Sequence, residues 1–169
     1  MGFGPMNGLV MGTRCGDIDP AVLMFMVNSL GYSLEEANNT LQKKSGMLGL
    51  TGFSDMRDIE AKAEAGDQKC IDALALNTYR IKKFIGSYIS VLNGVDAIIF
   101  TAGIGENSDV IRKMVCSDMD FFGIALNEEK NAVRSGEIRE IQADDAKVKV
   151  LVIPTNEELE IAQQTFELI

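Results

Sequence analysis

The chain has 169 residues, 46% hydrophobic, with a formal net charge of −9; it can bury the core of one domain, and its acidity argues against a nucleic-acid backbone as partner. It has no histidine and three cysteines far apart in sequence, which excludes His-based general-base chemistry and gives no sign of a zinc site or disulfide framework, so a reducing cytoplasm is expected. No basic-then-apolar leader opens it and no apolar run approaches ~18 residues, so neither a signal peptide nor a membrane span is expected.

Residues 1–18 are rich in Gly and Met without periodicity and read as an extended, irregular segment. Asp19-Pro20 has the form of a helix start, Asp as cap and Pro in the first turn, for an element running to Leu30 and ended by Gly31. Ser33 with Glu36 forms a capping-box pattern that predicts a helix over 34–44, stopped by Gly46. Residues 46–53 read as a glycine-rich apolar loop, after which Ser54 is the expected cap of a short helix through Ala63, closed by Gly66. From Asp67 to Leu92, Ile71, Leu74, Thr78, Ile81, Ile85, Tyr88 and Leu92 recur at three- and four-residue spacing and predict a long helix with one buried face.

Val95–Phe100 is a near-continuous apolar run, the pattern of a strand covered on both faces. A helix is expected from about Asp109 to Cys116, then a turn at Phe121-Phe122-Gly123 with core anchors, a short helical turn capped by Asn127 through Val133, and a short strand in 137–142. Lys147–Ile153 predicts a second strong strand, halted by Pro154. Thr155 with Glu158 forms a capping-box pattern for a final helix with Leu159, Ala162, Phe166 and Ile169 on one face. Two strands, each followed by a helix, imply parallel pairing in an α/β sheet. So small a sheet for this many helices leads to the expectation that part of it lies outside this chain.

Four segments are candidates for chemistry. In Ile98-Ile99-Phe100-Thr101-Ala102-Gly103-Ile104-Gly105-Glu106-Asn107 an apolar run enters a two-glycine turn, and Asn107-Ser108 opens a helical pattern. That geometry aims backbone N–H groups and a helix dipole at an anion such as a phosphate; otherwise the glycines only permit the tight turn. The segment has neither the Walker Gly-Lys-Ser/Thr nor the third glycine of a dinucleotide fingerprint. Arg14, between Gly12 and Gly16, either forks onto a carboxylate or phosphoryl group or pairs on the surface with Asp17 or Asp19; Asp17 is also a candidate to orient it. In Ser54-Asp55-Met56-Arg57-Asp58 the aspartates suit a helix N-terminus, while Arg57 does not, which suggests stacking on a planar base. Glu157 is either a plain first-turn acid or a carboxylate at the C-terminal end of a parallel strand, where it would hold Mg²⁺ together with nucleotide phosphates.

These segments occur in a telling order: Met-Gly-Thr-Arg-Cys-Gly-Asp-Ile-Asp-Pro (11–20), Ser-Asp-Met-Arg-Asp-Ile (54–59), Phe-Thr-Ala-Gly-Ile-Gly-Glu-Asn (100–107) and Pro-Thr-Asn-Glu-Glu (154–158). Together they closely resemble the C-terminal part of the acetate kinase family, essentially end to end along this chain. Cys15 stands where the family usually has Ser, a nearly isosteric departure. The resemblance implies a ribonuclease-H-like domain of the actin-like ATPase superfamily, lacking its first strands, and the reversible reaction of ATP with acetate to give ADP and acetyl phosphate with Mg²⁺. It implies that Arg14 steadies the phosphoryl group in flight and that Asp55, Met56 and Arg57 contact adenosine. It further implies that Gly103, Ile104, Gly105, Glu106 and Asn107 form a nucleotide loop and that Glu157 is the magnesium-linked glutamate. The family's N-terminal domain, first phosphate loop, catalytic aspartate, substrate arginine, acetate pocket and functional histidines are expected upstream of this chain, and Met1 is expected to be an interior position rather than a native start. The alternatives are an inactive nucleotide-binding fragment and a kinase of propionate or butyrate. The family's dimers form through the C-terminal domain, so the helix over 67–92 is either part of such an interface or entirely core. No nucleic-acid or membrane partner is expected.

Overall fold

The computed structural model describes residues 3–168, so the expectations for Met1 and for Ile169 on the face of the final helix fall outside the described residues. The chain forms two compact units, the first ending at Ser87 and the second starting at Tyr88.

In the first unit, α1 (Pro20–Asn28) starts where the Asp-Pro pair predicts, the Asp19 carboxylate accepting from the Ala21 N–H. It ends before Leu30, and the chain turns at Gly31 with φ +76°. The capping box of α2 (Leu34–Lys43) is fully formed: Glu36 N–H donates to Ser33 Oγ, and Ser33 N–H donates to Glu36 Oε2. Met26, Ala37 and Leu41 from these helices make a small core onto which Met6 and Cys15 pack.

The expected loop at 46–53 is instead a helix, α3 (Gly46–Thr51). Gly46 at φ +61° makes the sharp entry, and Gly52 at φ +87° makes the exit. The glycines therefore start and stop a helical turn whose Met47 is buried. In α4 (Met56–Glu64) the cap is Asp55, not Ser54. Helix α5 (Gln68–Leu92) is anchored by Asp67, whose carboxylate accepts from the N–H groups of Lys69 and Cys70. Its buried positions are Cys70, Ala73, Leu74, Asn77 and Thr78. Leu74 and Thr78 are where periodicity puts them; Ile71, Tyr88 and Leu92 are exposed. The stripe of large apolar residues misses this phase because small Ala73 and polar Asn77 do the close packing.

The second unit contains β1 (Ala97–Phe100), α6 (Ala102–Asn107), α7 (Asp109–Cys116), a 3-10 turn (Asp120–Phe122), α8 (Glu128–Ala132), β2 (Arg139–Glu140), β3 (Lys149–Val152) and α9 (Glu157–Glu167). The sheet order is β1-β3-β2. β1 and β3 are parallel, with Phe100 opposite Val152, and β2 is antiparallel to β3. The parallel pairing inferred from strand–helix order is thus present, in a small mixed α/β sheet. Its core is Ile111, Val115, Ile124, Ile141, Val150 and Val152.

β1 is not covered on both faces: Ile99 is 54% exposed, and the strand stands at the sheet edge with β3 as its one neighbour among the described residues. Phe121 and Phe122 are exposed and pair edge-to-face at 5.6 Å; Met119 and Ile124 are the buried anchors of that turn. Thr155 and Glu158 make no capping box, because Asn156 takes the cap, its Oδ1 accepting from the Leu159 N–H. Leu159 and Phe166 of α9 are exposed. Among the described residues no helix is long and apolar enough to cross a membrane.

Candidate functional site

In the first unit Arg14 sits in a loop stitched from several sides. Cys15 N–H donates to Leu41 O, Ser45 N–H to Thr13 O, Met47 N–H to Met11 O and Leu48 N–H to Gly12 O, at 2.8–3.0 Å. A Cβ on Gly46 would meet the carbonyl oxygens of Met11 and Arg14, so only glycine lets α3 begin against this loop. From α5, Asn77 Nδ2 donates to Val10 O at 3.1 Å and Arg80 Nη2 donates to Asp17 O at 3.0 Å. The loop backbone is therefore fixed on both sides of Arg14. Asp17 does not pair with Arg14: its carboxylate accepts from Asn7 Nδ2 and from the Gly8 N–H. Asp19 is the cap of α1. The surface-pair reading of Arg14 thus lacks its expected partners, and the half-buried arginine presents a guanidinium that no described carboxylate takes. Burial pushes the Cys15 thiol up, in keeping with a small packing residue.

At the start of α4 the Asp55 carboxylate accepts from Arg57 Nε at 3.0 Å, from Arg57 Nη2 and from the Arg57 N–H at 2.9 Å. The Arg57 side chain bonded to it, together with that N–H, holds the Asp55 carboxyl at about 2. The ion pair occupies one edge of a guanidinium whose side chain is 88% exposed, leaving its planar face open for stacking. Met56 beside it is half-buried.

In the second unit the glycine turn is itself helical, as α6, and α7 follows with Ser108 as cap, its Oγ accepting from the Ile111 N–H. Asn107 is the last residue of α6 and donates back to Gly103 O at 2.8 Å. The two glycines differ in role. A Cβ on Gly105 would press on the Phe100 backbone at 3.3 Å, so Gly105 seats α6 on β1; a Cβ on Gly103 would meet nothing. Gly103 and Ile104 are exposed, open to a ligand.

α6 leaves the C-terminal end of β1, and the turn carrying Glu157 leaves the C-terminal end of its parallel neighbour β3. Ile153 N–H donates to Phe100 O across the two strand ends. Glu106 Oε1 then accepts from both the N–H and the hydroxyl of Thr155, at 2.8 and 3.0 Å. These bonds, with the Ala102 N–H and nearby Arg139, hold the Glu106 carboxyl below the usual range. Glu157 is the first residue of α9, exposed and in no described ion pair. Within each unit the predicted residues fall on connected structure: Arg14 with the α2–α3 junction, Asp55–Arg57 at the α4 start, and α6 with Glu157 at adjacent strand ends.

Sequence reasoning missed Arg112. It is buried, with Nε on Asn131 Oδ1 at 2.7 Å, Nη2 on Asn131 O at 2.8 Å, and Nη1 on the carbonyls of Gly105 and Glu106 at 2.9 Å each. Burial pulls its pKa down, but the four acceptors keep the cation satisfied. The signal was present: Ser108, Ile111, Arg112 and Val115 share one helical face, which places a charge on an apolar stripe.

Residues 1–163 match the family model described as the Acetokinase family. The chain belongs to that family. It is 60% identical to the acetate kinase of Flavobacterium johnsoniae over 169 residues, covering all of this chain and 43% of that protein. The crystal structure of Porphyromonas gingivalis acetate kinase superposes with a TM-score of 0.89 at 41% identity, covering 96% of this chain and 41% of that one. A propionate kinase from Francisella tularensis gives a TM-score of 0.87 at 40% identity, covering 94% and 40%. The chain thus spans about two fifths of the length of the relatives it matches.

Proposed function

We propose that this chain is the nucleotide-binding C-terminal portion of an acetate kinase, within a protein that transfers the terminal phosphoryl group of ATP reversibly to acetate. The observation that carries the reading is the pairing of α6 and the Glu157 turn at adjacent parallel strand ends, within a chain matched by the acetokinase model over residues 1–163. A ribonuclease-H-like domain of the actin-like superfamily, lacking its first strands, is the proposed classification.

Each residue has a role suited to its surroundings. The open face of Arg57, with Asp55 fixing its edge and Met56 alongside, stacks on adenine. The exposed Gly103–Ile104 surface of α6, with Asn107 closing the turn, receives the nucleotide. Arg14, in no ion pair among the described residues and on a fixed loop, donates its planar fork to the equatorial oxygens of the moving phosphoryl group, where charge neutralisation and alignment do most of the catalysis. Among the described residues no three His, Cys, Asp or Glu side chains gather into a metal cage. A single free carboxylate suits Mg²⁺, which takes one or two protein oxygens and completes its shell with phosphates and water. Glu157 would hold it, and the ion would supply charge neutralisation at the phosphates.

We place the carboxylic acid pocket in the part of the intact protein outside this chain, so the chain alone is expected to be inactive and the acid to be chosen elsewhere. The likeness to a propionate kinase favours propionate as the second candidate, and butyrate belongs to the same class. The intact protein is proposed to be a cytoplasmic homodimer. Hydroxamate formation from ATP with acetate, propionate or butyrate tests the reading. The full-length protein carrying this chain is expected to trap an acyl phosphate, with acetate preferred. No product with any of the three acids contradicts the kinase reading, and turnover by residues 1–169 alone contradicts the division of labour.

A further inference from the structure

We propose that Glu106 is a positioning residue rather than a nucleotide ligand: its carboxylate latches the Thr155–Glu157 turn to α6, so that the nucleotide surface and the metal-linked glutamate keep one fixed spacing. The inference rests on the nucleotide-site reading above and deepens it.

Three observations meet at this residue. Its Oε1 is already engaged by two donors of Thr155, a residue 49 positions away, and two hydrogen bonds to one carboxylate oxygen leave little capacity for a further donor on that atom. Its own backbone is immobilised, because Glu106 O accepts from the buried Arg112. Thr155 is free to make this contact because Asn156, not Thr155, caps α9. The departure from the expected capping box is what makes Thr155 available to Glu106. Glu157 follows Thr155 by two residues on a turn whose start is tied, through the Ile153 N–H, to the end of β1. Without the latch, the polar tie between α6 and the start of α9 is lost, while the strand pairing beneath it persists.

A double-mutant cycle in the full-length protein separates the latch from direct ligation, using Glu106→Ala, Thr155→Val and the pair, with Thr155→Ser as the conservative control. Thr155→Val removes the hydroxyl and Thr155→Ser restores it. Thr155→Val is expected to raise KM for magnesium–ATP about threefold to tenfold, with kcat lowered less and Thr155→Ser near wild type. The double variant should be no worse than Glu106→Ala, because Glu106→Ala already removes both bonds to Thr155, including the hydroxyl bond that Thr155→Val breaks. Hydrogen exchange at the Thr155 amide should accelerate in Glu106→Ala, while the Ile153 amide, held by Phe100 O, keeps its protection, a readout independent of turnover. Additive effects in the cycle, or unchanged exchange at the Thr155 amide in Glu106→Ala, would each overturn the latch. If the wild-type protein shows no saturable ATP binding, the nucleotide-site reading falls, and the exchange result still decides whether Glu106 holds Thr155.

Discussion

Arg112 and Arg139 both direct a guanidinium N–H at the carbonyl oxygen of Glu106, at 2.9 and 3.5 Å. They differ in how well they are satisfied. Arg112 has four acceptors at 2.7–2.9 Å, whereas Nε and Nη1 of Arg139 are buried with no partner among the described residues. The two cations also repel, which contributes to the lowered Arg112 pKa after burial itself. Arg112→Met should therefore destabilise by about 3 kcal/mol or more, since it strands several buried acceptors. Arg139→Met should be neutral or stabilising by about 1 kcal/mol, since it removes orphaned donors. Denaturant unfolding of the two variants checks this; equal losses would contradict it.

Gly103 and Gly105 offer a second contrast. Gly105→Ala forces a Cβ to 3.3 Å from the Phe100 carbonyl carbon, where backbone has to shift. It should lower the melting temperature. Gly103→Ala meets no atom within 4 Å and gains helix propensity of up to about 1 kcal/mol. It should hold or raise the melting temperature while weakening nucleotide binding in the full-length protein. A Gly103→Ala protein that is both stable and unimpaired in ATP affinity would place the nucleotide elsewhere.

The Asp55–Arg57 pair predicts a pH dependence. Asp55 sits at about 2 chiefly because of the Arg57 side chain, and next because of the Arg57 N–H. A carboxyl lowered in the folded state contributes stability at pH above its ordinary value of about 3.9, and that contribution fades as pH falls from there toward 2. In Arg57→Gln the Asp55 carboxyl should titrate higher by NMR, yet still below the ordinary value, because the backbone donor at position 57 remains. An unchanged midpoint would show that the side-chain pair has no hold on Asp55.

Much of the architecture was legible from local chemistry. The Ser33–Glu36 box, the Asp19-Pro20 start, the Asn127 cap and the α7 boundaries each follow from short-range hydrogen bonding that a sequence states directly. Errors arose where a longer-range contact won. Thr155 bonds Glu106 instead of capping α9. Gly46 is needed because the Arg14 loop lies against it, so a stretch that reads as a loop is the helix α3. Asn77 turns into the core to reach Val10 O, shifting the buried face of α5. Of the site, the residue types and their order were visible. The supports were not: Arg112, Asn131 and Arg80 act through contacts between segments far apart in the chain.

The most direct test of the account is Arg14→Ala in the full-length protein, with kcat and KM for ATP measured separately. Removing a donor that acts on the transferring group should lower kcat by about 10²–10³ and change KM for ATP little. A raised KM for ATP with kcat intact would show that Arg14 only binds nucleotide and contradict its assignment to the phosphoryl group in flight.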